Sequence, residues 1–313
     1  MTQHVKDTAK ALGFDAVGIT HAGSVGLRDR ERFVRWLEAG NNAGMRYMAR
    51  NCDKRMNPGL LLEGAKSIVC VAINYNPPEM EAQSSVVPTG RVADFALYDD
   101  YHDFIRLRLR RLAEAIRTAV VPQSCEFKIC VDSVPLLERT IAQRAGLGFV
   151  AVNHGLIHPE LGCKILLGEL ITTAELVPDE PMDRPCIGCM KCVRVCPTGA
   201  LGRDGTFDAG KCISYLTIEH KGEVGPELAA KVGDRLFGCD ECMNCCPHQL
   251  NVPVAANPDF RIHSERRAIS LQDILNWTQG DFDRAFGGSP VGRIGLERLK
   301  KNARICLANQ QRI

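Results

Sequence analysis

The sequence lacks the features of several protein classes. No apolar run is long enough to span a bilayer, so we expect no membrane-spanning helix. No G-x-G-x-x-G follows a predicted strand and no P-loop is present, so neither motif offers a cradle for nucleotide phosphates. A net charge of +2 is too small to indicate a nucleic-acid or membrane partner. The polar N-terminus predicts no secretory signal, and we expect a cytoplasmic protein.

Cysteine, in contrast, is abundant. Fifteen cysteines without a predicted signal favour metal ligands in a reducing compartment over disulfides. The pattern C-x2-C-x2-C-x3-C-P runs from Cys186 to Pro197, and C-x2-C-x2-C-C-P runs from Cys239 to Pro247. The first pattern is the ligand spacing of bacterial ferredoxins, in which the fourth Cys serves the other cluster. We therefore predict two 4Fe–4S clusters. A zinc site would need only two C-x2-C pairs and would leave the other cysteines and both Cys-Pro steps unexplained.

Ferredoxin-like spacing assigns most of the ligands and leaves one open. One cluster would take three thiols of the first segment and one of the second: Cys186, Cys189, Cys192 and Cys246. The other would take Cys196, Cys239 and Cys242, and it needs a fourth ligand. Cys245 has the right spacing, and Cys212 lies between the two segments. Adjacent residues of an extended chain point in opposite directions, which favours Cys212, but both candidates stay open on spacing alone.

The rest of the chain predicts an α/β or α+β protein. Strands are predicted at 67–74, 125–131 and 164–175, and helices at 31–39, 103–119 and 135–146, which suggests helices covering a mixed sheet. A Pro- and Asp-rich stretch at 179–185 predicts a boundary. We divide the chain into an N-terminal domain at 1–177, an iron–sulfur domain at 178–253 and a short helical tail at 254–313, with helices predicted at 271–277 and 293–309.

Two basic regions are potential contacts for an anionic partner. The predicted helix 103–119 turns four apolar residues inward and places arginines around them: Arg106, Arg108, Arg110, Arg111 and Arg117. Residues 261–313 contain ten Lys/Arg against five Asp/Glu, a net charge of +5. Such charges favour an anionic partner. A solvated surface explains them as well, and both interpretations stay open.

One acidic residue has a position typical of a catalytic acid. Asp132 follows a predicted buried strand and precedes Pro135 and Glu138. An aspartate before a helix is also a common helix cap, so both roles stay open.

Many short stretches together resemble one family, that of the epoxyqueuosine reductases, which are cobalamin- and iron–sulfur-dependent enzymes of tRNA modification. The matching segments include G-M-R-Y-M at 44–48, R-M-N-P at 55–58, D-Y-H at 100–102, V-D-S-V-P at 131–135, L-G-E-L at 167–170, C-I-S-Y-L-T at 212–217 and F-G-C-D at 237–240. The resemblance implies an α/β (α+β) cobalamin-binding sandwich of nitroreductase-like, reductive-dehalogenase-like character. A ferredoxin-like double 4Fe–4S domain and a short helical tail follow it.

The resemblance also implies roles for particular residues. The catalytic acid of the family falls on Asp132. The family pattern places Cys212 with Cys196, Cys239 and Cys242, and leaves Cys245 free. Residues at positions of cobalamin contacts are Arg55, Asn153, His154, Ser214, Thr217 and Asp240. His154 and Val152 depart from the family pattern because a basic residue is lost and an imidazole gained. Cys163 departs from it as well, since a serine is usual there.

The implied reaction is the reduction of epoxyqueuosine to queuosine at the wobble base of tRNA with a GUN anticodon. Electrons from a flavodoxin or ferredoxin-type donor would pass through the clusters to cobalamin, and Asp132 would supply protons. A carboxyl group donates protons near neutral pH only if desolvation raises its pKa, so we expect a raised pKa for Asp132. We expect a monomer without a membrane partner. Two other classes remain: a cobalamin-dependent reductase of a small molecule, and a non-catalytic electron carrier.

Overall fold

The computed structural model describes residues 1–79, 87–119 and 124–311. Its helices are α1 Thr2–Ala11, α2 Leu27–Glu38, α3 Cys52–Met56, α4 Tyr101–Ala119, α5 Glu138–Arg144, α6 Lys191–Val195, α7 Ile213–Ile218, α8 Pro226–Val232, α9 Glu241–Asn244, α10 Leu271–Asn276, α11 Gln279–Phe286 and α12 Gly295–Gln310. Its strands are β1 Ala16–His21, β2 Ser67–Asn74, β3 Thr89–Val92, β4 Phe127–Cys130, β5 Phe149–Val150, β6 Leu156–Ile157, β7 Ile165–Thr172, β8 Arg235–Phe237 and β9 Ile269–Ser270.

The central sheet has the strand order β1-β2-β7-β4, and every pair in it is antiparallel. The prediction of a mixed sheet is therefore wrong for this sheet, because the intervening helices return each strand beside a partner that runs the other way. The predicted strand at 67–74 is confirmed as β2, and all eight of its residues are buried. Val69, Val71 and Ile73 enter one core, and Ile68 and Cys70 enter the other. Burial on both faces explains the unbroken apolar run.

Helices cover both faces of this sheet. On one face α4 packs against β7, with α1 beside it, and its Ile105, Leu109, Leu112 and Ile116 are buried as predicted. On the other face lies α5, with Ile141 and Ala142 buried against the sheet. Arg108 is a correction to the predicted charged surface of α4. It is buried, binds the Leu12 carbonyl and Asp259, and lies over the Phe104 ring at 3.5 Å.

A second sheet, in the order β8-β3-β9, joins distant parts of the chain. β3 pairs in parallel with β8 and antiparallel with β9, so the sheet takes one strand from each of the three predicted ranges 1–177, 178–253 and 254–313. The strand β3, which begins at Thr89, was not among the predicted strands; residues 80–86 lie outside the described residues. The division into three domains stays a prediction, and the three ranges share this sheet and one core.

The tail folds onto this second sheet. The helices predicted at 271–277 and 293–309 are confirmed as α10 and α12. α11 was not predicted, although Thr278 and Asp281 form a capping box at its start. Within 1–79, 87–119 and 124–311, no helix is both long enough and apolar enough to cross a membrane.

Candidate active site and thiol sites

The first thiol set lines a single cavity. The set consists of the four residues assigned from spacing, Cys186, Cys189, Cys192 and Cys246, and the 151–153 segment closes the same cavity. Gly188 and Met190 both have positive φ, 66° and 56°, so the loop turns sharply before α6 begins. These turns bring three thiols of one short segment to one wall, and Cys246, two residues after the end of α9, supplies the fourth.

The second thiol set gathers around Cys242, near the start of α9. Burial raises the pKa of the Cys242 thiol, and the nearby thiols of Cys239, Cys212 and Cys196 raise it further. Cys212 caps the N-terminus of α7, and Cys239 follows β8. The structure thus brings Cys212 to the three thiols that lacked a fourth partner.

Cys245 lies near thiols of the first set. Burial raises its pKa to about 11, with contributions from Cys192 and Cys246 of the first set. Its sulfur donates to the Cys242 carbonyl oxygen at 3.6 Å. Across the described residues, no three His, Cys, Asp or Glu side chains are arranged to hold a single metal ion.

Asp132 lies just beyond β4 in a left-handed backbone conformation, with φ of 57°. Its backbone N–H donates to Glu138 Oε1 at 2.7 Å, which fixes the turn. Its carboxylate Oδ2 lies 3.2 Å from His102 Nε2, and His102 Nδ1 lies 2.6 Å from Asp100 Oδ1. His102 is on the first turn of α4 and is 3 % exposed. His102, which belongs to the matching D-Y-H segment at 100–102, is therefore adjacent to the predicted acid.

The protonation of this cluster, which we call the proton site (Asp100, His102 and Asp132), follows from its partners. Both ring nitrogens of His102 face carboxylates, and only an imidazolium can donate from both. Burial lowers the pKa of His102, but the hydrogen bonds to Asp100 and Asp132 outweigh it and the net shift is upward.

The expected rise in the pKa of Asp132 is wrong for this conformation. The hydrogen bond from His102 lowers the pKa of Asp132 and outweighs its desolvation, since the side chain is 55 % exposed. The proton of the pair therefore resides on His102.

Two further groups influence the proton site. Arg293, from the tail, places NH1 3.8 Å from Asp132 Oδ2 and Nε 4.0 Å from Asp100 Oδ2. Sequence reasoning counted Arg293 only as one of the tail's charges, and no local signal marks it. Glu138 lies behind Asp132, where desolvation and the charge of Asp132 raise its pKa to about 7.

Glu169, in the middle of β7, is the most deeply buried acid near this site. It is 0 % exposed, and neither carboxyl oxygen has a hydrogen-bond partner within the described parts of the chain. Its strand neighbours are Cys70 and Cys130. Burial raises its pKa well above the ordinary value, and the nearby charges of Glu138 and Asp132 act in the same direction, so the neutral form of Glu169 is favoured.

The six predicted cobalamin contacts fall into two groups. Four have polar atoms engaged within the protein, through the side chain in Thr217, Asp240 and Asn153 and through the backbone carbonyl in Ser214. Thr217 Oγ1 donates to the Ile213 carbonyl and accepts from the Gly238 N–H, and the Asp240 carboxylate accepts the Asp94 N–H at 2.6 Å. Asn153 Nδ2 donates to the Cys242 carbonyl, and the Ser214 carbonyl accepts from Thr217.

The other two, Arg55 and His154, have unsatisfied nitrogens. Arg55 is buried, its Nε has no hydrogen-bond partner in the described ranges, and its remaining contacts are long, 3.4 Å to the Tyr47 carbonyl and 3.5 Å to that of Leu136. His154 Nε2 is likewise buried without a partner there, and burial lowers the pKa of His154 to about 4, so its ring is neutral.

Tyr47 connects Arg55 with the proton site. Burial raises its pKa to about 12, and the charges of Glu219 and Asp132 add to that rise. Glu219 immediately follows α7, the helix of Ser214 and Thr217. Arg55, Tyr47, the end of α7 and Asp132 therefore belong to one neighbourhood, whereas Asn153 and Asp240 lie toward the thiol sets.

Thiol sets beside an α/β sandwich with an acid–imidazolium pair define an iron–sulfur oxidoreductase. A family model described as 4Fe-4S double cluster binding domain matches residues 185–249, and one described as Epoxyqueuosine reductase QueG, DUF1730 matches residues 55–133. Epoxyqueuosine reductase of Pseudomonas aeruginosa is 37% identical over 313 residues, covering 99% of this chain and 85% of the relative. The chain belongs to the epoxyqueuosine reductase family.

Solved structures of epoxyqueuosine reductases also match this chain. A crystal structure of epoxyqueuosine reductase with an epoxyqueuosine-modified tRNA-Tyr stem loop matches with a TM-score of 0.91 at 32% identity, over 98% of this chain and 80% of that one. The enzyme from Bacillus subtilis, with its catalytic aspartate loop swung out of the active site, matches with a TM-score of 0.90 at 30% identity, over 98% and 81%. The predicted fold class and the two 4Fe–4S clusters are confirmed by these matches and the double-cluster model.

Proposed function

We propose that this protein reduces epoxyqueuosine to queuosine at the wobble position of tRNA with a GUN anticodon. The observation that carries the proposal is the proton site: an exposed carboxylate, Asp132, held by the buried imidazolium of His102. The relative bound to a modified tRNA stem loop supports the substrate, and the relative whose catalytic aspartate loop is swung out of the active site supports the role of Asp132. A tRNA substrate would also place the reaction in the cytoplasm.

The chemistry sets what the protein must supply. Conversion of the epoxide to an alkene takes up two electrons and two protons, breaks both carbon–oxygen bonds and releases the oxygen as water. The two clusters would carry the electrons inward from an external flavodoxin or ferredoxin-type donor. The residues around the substrate would supply the protons.

A bound cobalamin would provide a low-potential metal centre that passes the electrons to carbon. Arg55 and His154 suit such a group, because each has a buried nitrogen without a hydrogen-bond partner within the described residues. Ser214 and Thr217, on α7, would border it on the side of Tyr47, and Asn153 and Asp240 would border it on the side of the thiol sets.

His102 and Asp132 would move the protons. The imidazolium holds a proton at Nε2, 3.2 Å from Asp132 Oδ2, and passes it to that carboxylate when the departing oxygen accepts one. Asp100, hydrogen-bonded to Nδ1, keeps the ring oriented and stabilises its charge. Because the Asp132 side chain is more than half exposed, it reaches substrate and is also resupplied from solvent.

Anaerobic reconstitution of the purified protein tests this function. The protein is supplied with iron, sulfide, cobalamin, a reductant and tRNA containing epoxyqueuosine, and the digested nucleosides are analysed by mass spectrometry. We expect queuosine with the wild type and none when cobalamin is left out. Full clusters and bound cobalamin without queuosine would rule out the function and favour a small-molecule reductase. A protein that binds no cobalamin would favour an electron carrier.

A further inference from the structure

One imidazole in the wall of the first thiol cavity has no role in the proton site. His248 follows Cys246 by two residues and lines the cavity together with all four thiols of that set. Its Nε2 is buried and has no hydrogen-bond partner within 1–79, 87–119 and 124–311. Phe149 packs edge-on against the ring, with centroids 5.3 Å apart and planes at 76°. The ring is held in place, yet its polar atom is unsatisfied, which is uncommon for a buried group.

The lining of the cavity leaves few acceptors for this nitrogen. Asn153 is engaged, since its Nδ2 donates to the Cys242 carbonyl and its Oδ1 accepts from the Gly155 N–H. Lys191 has only donors. The side chains of the other non-cysteine lining residues are apolar: Ala151, Val152, Ile187, Met190 and Pro247. Sulfur is therefore the acceptor that the wall offers to an N–H at Nε2.

We propose that His248 donates a hydrogen bond from Nε2 to a sulfur of the 4Fe–4S cluster held by Cys186, Cys189, Cys192 and Cys246, and thereby raises the reduction potential of that cluster. The inference rests on this ligand set, which is part of the proposed function. Reduction adds one electron to the cluster, and a hydrogen bond to the more negative sulfur is stronger. The bond therefore favours the reduced state, as hydrogen bonds to cluster sulfurs do in general.

A redox titration of the reconstituted protein, followed by EPR at one fixed pH, tests the bond. His248→Phe keeps an aromatic ring against Phe149 and removes the donor. We expect the ratio of reduced to oxidised cluster at a given potential to fall about tenfold, which is about 59 mV for one electron. Only one of the two cluster transitions moves. His248→Gln retains an N–H donor and stays closer to the wild type. His4→Phe, which removes an exposed imidazole on α1, leaves both transitions unchanged.

Pulsed EPR supplies a second readout. With histidine labelled with ¹⁵N only in its imidazole ring, the reduced wild-type protein shows a ¹⁵N coupling to one cluster, and His248→Phe loses it. Unchanged transitions in His248→Phe, or a shift without any ¹⁵N coupling in the wild type, overturn the hydrogen bond. If Cys246→Ala keeps both clusters, the ligand set fails instead, and the inference fails with it. Neither readout depends on tRNA or on cobalamin.

Discussion

The thiol sets and the proton site differ in the distance along the chain between their residues. All eight candidate cluster ligands lie in the stretch from Cys186 to Cys246, and seven of them are in the two short Cys-rich segments 186–197 and 239–247. The proton site joins the start of α4 to the end of β4, and Arg293 reaches it from the tail. A cluster needs several identical ligands at close range, which one loop can present. A shifted pKa needs unlike groups at chosen distances, which only packed elements supply.

Removing a thiol tests the thiol sets, whose residues lie close together in the chain, and has the largest expected effect. Cys212→Ala loses one of two clusters, because a cubane needs its fourth thiolate, so iron per protein falls by about half and activity disappears. Cys245→Ala is the matched control and keeps both clusters. Iron and sulfide analysis with EPR checks both variants. A protein that keeps both clusters without Cys212 and loses one without Cys245 would reverse the assignment.

Replacing Asp132 tests the proton site, whose residues lie far apart in the chain. Asp132→Asn retains size and hydrogen bonding but cannot carry the proton, so the single-turnover rate of epoxide reduction falls about 10²–10⁴-fold. Asp103→Asn, a change of an exposed carboxylate on α4, is the control and leaves the rate unchanged. Clusters and cobalamin stay bound in both variants. A parent-like rate for Asp132→Asn would show that another group supplies the protons.

The imidazolium makes the reaction depend on pH. Because the pKa of His102 is raised above its ordinary value of about 6.5, the rate stays high below that value and falls as pH rises through the raised pKa. His102→Gln loses this alkaline limb, and its maximal rate falls about tenfold or more. An alkaline limb that persists in His102→Gln would assign the titration to a different group.

The same pKa shift predicts a contribution to stability. The folded state binds the His102 proton more tightly than the unfolded chain does, so the stabilisation is present below about pH 6.5 and is lost as pH rises through the folded pKa. Thermal unfolding of wild type and His102→Gln across this range checks the sign: the difference in Tm is largest at the acidic end.

Arg293 has the smallest expected effect. It lies 3.8 Å from Asp132 and is 48 % exposed, and half-exposed ion pairs contribute about 0–1 kcal/mol. Arg293→Ala therefore slows turnover by at most about fivefold, and Arg293→Lys recovers part of the loss. Arg304→Ala, an exposed change on α12, is the control. A loss near that of Asp132→Asn would mean that Arg293 contacts the substrate directly.

Local patterns predicted much of the fold. The strand at 67–74 is confirmed because a continuous apolar run has few alternatives to a strand buried on both faces. The inward face of α4 follows from helical spacing. The strands of the second sheet were missed, since each is only two to four residues long and gains its partners from distant segments. Arg108 was misplaced because its partner Asp259 is far away in the chain.

The candidate site, like the fold, was predicted from the sequence only in part. Spacing alone predicted seven of the eight proposed ligands and left Cys212 and Cys245 open, because spacing does not reveal which loop folds back. The position of Asp132 at a strand end was also visible in sequence. Its lowered pKa was not, since that depends on His102 approaching from another element.

Sequence alone was sufficient for the iron–sulfur chemistry, the buried strand and the position of the acid, because each depends on residue types within a few positions of one another. The tertiary structure determined where the proton resides, that Cys212 lies near the other thiols of the second set, and that the tail contributes Arg293 to the proton site. These properties depend on distances of 3–4 Å between groups far apart in the chain, and only packing sets such distances.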